Sequence, residues 1–253
     1  MSANSDSNPP RLDGAVVTAL DALWAKHRSG WRRLLSRGIV TELSLRASFD
    51  LDLLVPTRIA NTIASGTIPD CASCDDICCA GLENVVSLRL VDVARLIDAG
   101  RTDLIATKKP RFPESMFRTR PALYELMGSE LYRTLPVLRQ ITDRRICAAL
   151  QPDMTCGLHP HWPLSCERFP YSLSAVRRRI VWGERCGSKV RDPEHAERSE
   201  ALAAAAVKTF NERVRDAVLL AHARPALDAM GIGAFLTDPY GEPFEAPGRL
   251  PIF

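Results

Sequence analysis

The stretch 71–81, CASCDDICCAG, holds Cys71, Cys74, Cys78 and Cys79 in the spacing C-x2-C-x3-C-C. A C-x2-C turn lets two sulfurs converge on one ion while nearby backbone N–H groups donate to them. Neighbouring side chains diverge, so the adjacent pair Cys78–Cys79 is suited to two metals or to two edges of one cluster, rather than to a single zinc knuckle. Four further cysteines follow: Cys147 in RRICAALQ, Cys156 and Cys166 in CGLHPHWPLSCERFP, and Cys186 in GERCGSK. The total of eight is enough for two complete tetrathiolate sites.

Disulfides, a metal or cluster, and a reactive thiol compete for this sulfur. The start MSANSDSNPP lacks the basic and apolar regions of a secretory signal, and no apolar run approaches the ~18 residues of a membrane span. The chain reads as cytoplasmic, where thiols stay reduced, which disfavours a disulfide framework. A thioredoxin-like thiol pair at Cys71–Cys74 needs a βαβ setting that the flanks do not offer. The fourth reading, that the cysteines are small buried hydrophobes, suits Cys147 best in its apolar surroundings. Metal thiolate chemistry is the reading left standing.

Nearby polar residues are candidates for supporting roles. His159 and His161 can ligate zinc or iron, but on either side of Pro160 in an extended stretch they would face opposite ways. Donation to a cluster sulfur suits them better than ligation. Asp75 and Asp76 read as solvated loop residues. Arg144, Arg145, Arg168, Arg177, Arg178, Arg179, Arg185 and Lys189 crowd the later cysteines. They either offset thiolate charge, raising a cluster's potential, or form a solvated face.

The elements that must position these groups read as mainly α. Residues 1–11 form a disordered arm, 12–230 a single helical domain, and 231–253 an extended C-terminal tail rich in Gly and Pro. Helical spacing runs from residue 12 to a stop at Gly38, and again over about 41–65. Residues 85–88 suit a short strand, and 91–99 a helix with Val93, Leu96 and Ile97 as its stripe, ended by Gly100. The basic segment 106–122 reads as a solvated connector, with covering a site or contacting another protein as the functional alternative. Residues 123–141 carry a broken helical pattern around Pro136. A long helix with Val207, Phe210, Val214 and Val218 on one face spans about 193–223. The expected architecture is helices bracing an irregular cysteine-rich centre, with at most one short β hairpin, and LSAVRRRIVW as its candidate strand.

Composition bounds the partners. The hydrophobic share of 46% and charged share of 25% are those of an ordinary globular protein. The net charge of +3 is too mild to indicate nucleic-acid binding. Loading eight thiolates with two cores of charge +2 would bring it to about −1, the same for zinc as for cubane clusters.

The order of the cysteines, a CxxCxxCC-like motif, a single Cys, C-x9-C ending in Cys-x-x-Phe-Pro, then a last Cys, resembles the YkgJ-type cysteine-cluster family. Over about residues 68–190 all eight family cysteines find a counterpart, and CERFP (166–170) and SLRLVDVARL (87–96) look like the family's pattern. The first motif has one extra residue between Cys74 and Cys78. His159 and Trp162 stand where the family usually has Tyr and Arg, with Pro163 and Cys166 kept. The resemblance implies zinc or iron chelation through Cys71, Cys74, Cys78, Cys79, Cys147, Cys156, Cys166 and Cys186. An iron–sulfur cluster of the 4Fe–4S type is favoured over zinc by the Cys78–Cys79 pair and the count of eight. The expected function is a metal-binding protein in a redox, metal-handling or structural role. The family tie to flagellin lysine N-methylase implies an alternative, methyl transfer from S-adenosylmethionine. No nucleotide-binding glycine motif in the chain supports that alternative.

Overall fold

The computed structural model describes residues 14–28, 59–71, 78–79, 85–107, 134–141, 146–159, 161–174, 179–183 and 186–237. The arm, most of the tail beyond 231, residues 41–58 and most of 106–122 lie outside these, as does Cys74.

Helix α1 (Ala15–His27) has no capping side chain of its own at Gly14. Its exposed N–H groups are met from elsewhere, because both Asp98 carboxylate oxygens accept at 3.0 Å, one from Val16 N and one from Val17 N. Helix α2 (Leu90–Asp98) supplies that Asp98 at its own C-terminal end. Gly100 follows with φ +65°, the left-handed turn that only glycine adopts cheaply. On α2, Leu90, Val93 and Leu96 are buried, each stabilising by about 1.5–3 kcal/mol. The longest helix, α4 (Ala196–His222), is preceded by a 3-10 turn at Pro193–His195, where Asp192 caps Glu194 N. Among the described residues, the one-turn α3 (Leu164–Glu167) lies between α2 and α4, and the short α5 (Arg224–Ala229) follows α4.

Short strands lace these helices together. Strand β1 (Ala60–Asn61) runs parallel to β8 (Arg179–Trp182), which pairs antiparallel with β7 (Tyr171–Ser174). Strand β2 (Thr67–Pro69) pairs with β9 (Lys189–Arg191), β3 (Ile105–Ala106) with β4 (Val137–Leu138), and β5 (Gln140–Ile141) with β6 (Ile146–Cys147), all antiparallel.

The expectation of a mainly α fold with at most one hairpin is therefore corrected. About 49% of the described residues are helical and 18% in strands, in several small sheets, a mixed α/β architecture. The strands are two to four residues long, too short for alternation to show in sequence. Their partners are also distant, and pairing depends on the tertiary fold. Val137–Leu138 and Gln140–Ile141, expected within a broken helical pattern, are strands, and the extended Ala60–Asn61 falls within the expected helix over 41–65. Residues 85–88 make a bridge rather than a full strand, Ser87 opposite Val137.

Two cores result. The larger gathers Leu20, Leu88, Leu90, Val93, Leu135 and Leu138 with Leu164, Leu219, Leu227 and Ile232. The smaller packs Tyr171 and Ile180 of the β1–β8–β7 sheet on Ala203 and Ala206 of α4. Helix α4 thus contributes to both. No helix among the described residues is long and apolar enough to cross a membrane.

Candidate metal centre

Cys79 and Cys156 pack against the larger core beside buried Cys147, and Cys166 lies within electrostatic range of all three. Cys147 lies at the end of β6, and its N–H donates to Cys79 O at 2.7 Å, tying the first cysteine motif to the second. The chain then turns back on itself. Gln151 N donates to Thr155 O, Gly157 N donates to Ala149 O, and Leu150 bridges Cys156, so Cys147 and Cys156 occupy two arms of one tight turn. Met154 at its tip has φ +68°. The next turns, His159 N to Cys156 O and His161 N to Leu158 O, lead to α3, which carries Cys166.

Helix α3 is held from three sides. Asp92 Oδ1 accepts from Leu164 N at 3.1 Å, Thr209 Oγ1 donates to Leu164 O at 3.1 Å, and Ser165 Oγ donates to Ser87 O at 3.1 Å. Asp92 Oδ2 at the same time accepts from Arg89 N at 2.9 Å, closing a capping box at the start of α2. One buried carboxylate thereby fixes α2 against the turn that presents Cys166.

The sulfurs sense one another. Burial pushes the Cys79 thiol up to about 11, with Cys147, Cys156 and Cys78 adding to the shift. Burial likewise raises Cys166 far above the ordinary thiol range, and Cys147, Cys79, Asp92 and Cys156 raise it further. Cys147 is also raised by burial, with Cys156 contributing. At neutral pH these three are thiols, and a soft cation taking them up must displace their protons.

The other sulfurs are arranged differently. Cys71 and Cys78 are exposed. Cys186 donates its S–H to Ser188 O at 3.2 Å, while its carbonyl accepts from Trp182 Nε1 at 2.7 Å. Since Asp70 N also donates to Ser188 O, Cys71 and Cys186 belong to the same end of the β2–β9 pair. The described cysteines are free of disulfides. Among the described residues, no three His, Cys, Asp or Glu side chains converge closely enough to hold a metal ion. The inner four therefore stand in electrostatic range of one another, short of coordination.

The histidines depart from expectation. His159 N donates to Cys156 O and His161 N to Leu158 O, so both histidines sit in turns rather than in an extended stretch. His159 is exposed and meets Trp162 edge-on, with ring centroids 4.8 Å apart. His161 Nε2 is buried with no hydrogen-bond partner. Of the basic residues expected around the cysteines, Arg168 ends α3 and its Nη1 donates to Tyr171 O at 2.7 Å, Arg179 lies in β8, and Lys189 Nζ sits 5.9 Å from the Trp182 ring centre. Arg144, Arg145, Arg177, Arg178 and Arg185 lie outside the described residues, as do Asp75 and Asp76.

Sequence reasoning missed the charges beneath the centre. Arg89, Asp92 and Asp216 are buried side by side. Asp216 Oδ1 accepts from Leu90 N at 3.2 Å, and its Oδ2 stands 3.5 Å from Arg89 Nη1. Burial raises Asp216 to about 7 and Asp92 to about 6, against the pull of Arg89 on both. The available signal was a pair of charges, Arg89 and Asp92, inside the apolar SLRLVDVARL at capping-box spacing, and a charge at 216 on the same face as buried Leu219.

No family model, curated protein or solved structure matches this chain.

Proposed function

We propose that this is a cytoplasmic cysteine-cluster protein that binds an iron–sulfur cluster or zinc through thiolates, in a redox, metal-handling or structural role. The observation that carries the reading is the meeting of Cys79, Cys147, Cys156 and Cys166, from two distant stretches, at one desolvated place. Four soft donors, with sulfur alone, suit zinc or iron–sulfur and leave no open position for a zinc-bound water. The binding energy of a structural metal, about 10–16 kcal/mol for zinc in small domains, is available to draw the sulfurs in from electrostatic range. The remaining cysteines, Cys71, Cys74, Cys78 and Cys186, are candidates for a second set. The resemblance to the YkgJ-type family supports the same chemistry. The methyl-transfer alternative rests on that resemblance alone.

The test is anaerobic purification followed by metal analysis and a visible spectrum. A brown protein bleached by dithionite is the expected result, and a colourless protein with stoichiometric zinc supports the structural form of the same reading. Protein that carries neither, and takes up neither on reconstitution, refutes it.

A further inference from the structure

We propose that Cys79 and Cys147 close to a reversible disulfide when the protein meets a low-molecular-weight disulfide such as oxidised glutathione. The inference goes beyond metal binding, and the pairing does not depend on it.

Strand β6 pairs with β5 along one edge, with Cys147 opposite Gln140. Ala148 N donates to Arg139 O at 2.8 Å, which sets the phase of that ladder and leaves the Cys147 N–H pointing out of the opposite edge. There it donates to Cys79 O at 2.7 Å. Standard backbone dimensions across one such bond hold the two Cα atoms within about 6.6 Å of each other. Disulfides close over a Cα separation of roughly 4.4–6.8 Å. The side chains also turn the same way, since Cys147 belongs to the larger core and Cys79 packs against that core. The other sulfurs nearby are placed differently. Cys156 lies opposite Leu150 in the following turn, Cys166 is carried on α3, and Cys78 is exposed.

Cys79 is half-buried and Cys147 buried, so a small oxidant reaches Cys79 first. The Cys79 sulfur attacks the glutathione disulfide, whose S–S bond breaks, and one glutathione leaves as a thiol with the Cys79 proton. Cys147 then attacks the mixed disulfide. The Cys79–Cys147 bond forms, and the second glutathione leaves with the Cys147 proton. Both protein thiols are oxidised, and one small disulfide is reduced to a pair of thiols. In a reducing compartment such a pair stays open and closes only transiently, as a response to oxidant. Closure ties together two stretches far apart in sequence, which constrains the unfolded chain and raises the melting temperature. It also withdraws two sulfurs from the proposed donor set, so oxidation would block metal uptake, a consequence that rests on the metal-binding reading.

In the experiment, metal-free and fully reduced protein is incubated with oxidised glutathione, digested without reductant and mapped by mass spectrometry. The expected product has lost a pair of hydrogens, carries a link between the Cys79 and Cys147 peptides, melts higher than the reduced protein and reopens with dithiothreitol. Cys78→Ser should give the same link, which assigns it to Cys79 rather than to its neighbour. Cys147→Ser should stall with glutathione bound at Cys79. Wild type that gains glutathione adducts alone, or that links Cys79 to a different cysteine, overturns the inference, as does a C78S protein that forms no link. Zinc titration of the reduced protein is a separate arm: absence of uptake there overturns the metal-binding reading, while the peptide map still decides the pair.

Discussion

Replacing Asp216 by asparagine should change how stability depends on pH, and the size of that change follows from its surroundings. Asp216 is completely buried. Its Oδ1 takes the Leu90 N–H, while Oδ2 has no hydrogen-bond partner and meets Arg89 only at 3.5 Å. Burial dominates that pull and lifts the carboxyl from 3.8 to about 7. The folded state therefore holds a proton that the unfolded chain gives up. Stability from the neutral form is complete below about 4 and is lost as the pH climbs through about 7. The slope reaches about 1.4 kcal/mol per pH unit while the two states differ by one proton, so between pH 5 and pH 7 wild type should lose about 2–3 kcal/mol through this one group. Asparagine keeps an oxygen for Leu90 N and mimics the neutral acid, so D216N should lack that loss. Below about pH 7 the neutral Asp216 is no ion partner of Arg89, so D216N should lie close to wild type at pH 5, and the Arg89–Asp216 attraction that D216N lacks is felt only above about pH 7. Urea midpoints at half-unit steps from pH 5 to pH 8 measure the difference. Parallel curves for the two proteins would refute the argument, because they would mean that Asp216 is already ionised at pH 5.

Replacing Asp92 with alanine removes both the Arg89 cap and the Leu164 contact. It should cost about 2–4 kcal/mol and, by loosening α3, lower the metal retained on purification, read by melting and metal analysis. Gly14→Ala drives a Cβ into the Asp98 carboxylate that caps α1, so a loss of about 1–2 kcal/mol with unchanged metal content is expected; an unaltered melting temperature would count against that cap. Cys79→Ser should lose metal and melting temperature together, since site energy is folding energy, and a fully loaded C79S variant with wild-type melting would contradict this. Because Cys79, Cys147 and Cys166 are held protonated, zinc affinity should rise by more than tenfold per unit between pH 6.5 and pH 8.5, and chelator competition giving a flat profile would contradict it.

Much of the helical frame was legible in the sequence, and the residues say why. The α2 stripe of Val93, Leu96 and Ile97 with Gly100 after it is a local pattern, and helix 90–98 stands within a residue of expectation. The long helix was equally plain, apart from a first turn that tightens at Pro193–His195. The sheets were not legible, since a strand such as Ala60–Asn61 exists only because Arg179 and Ile180 arrive beside it from far along the chain. At the candidate centre the sulfurs announced themselves by spacing, but which of them meet did not follow from spacing. Cys78 and Cys79 are neighbours, yet one is exposed and the other packs against the larger core. Arg89 and Asp216 were hidden for a different reason. Each is a charge whose partner lies on another helix, and single-helix periodicity has no term for that.

Helix α4 has a consequence for how the molecule comes apart. It carries Ala203 and Ala206 beneath the small sheet, Thr209 against the turn of Cys166, and Asp216 and Leu219 against α2. Neither core can shed this helix and survive, so the two should not melt as separate units. Heating should give one calorimetric peak, and ligation at the sulfurs should move that whole peak upward rather than splitting it.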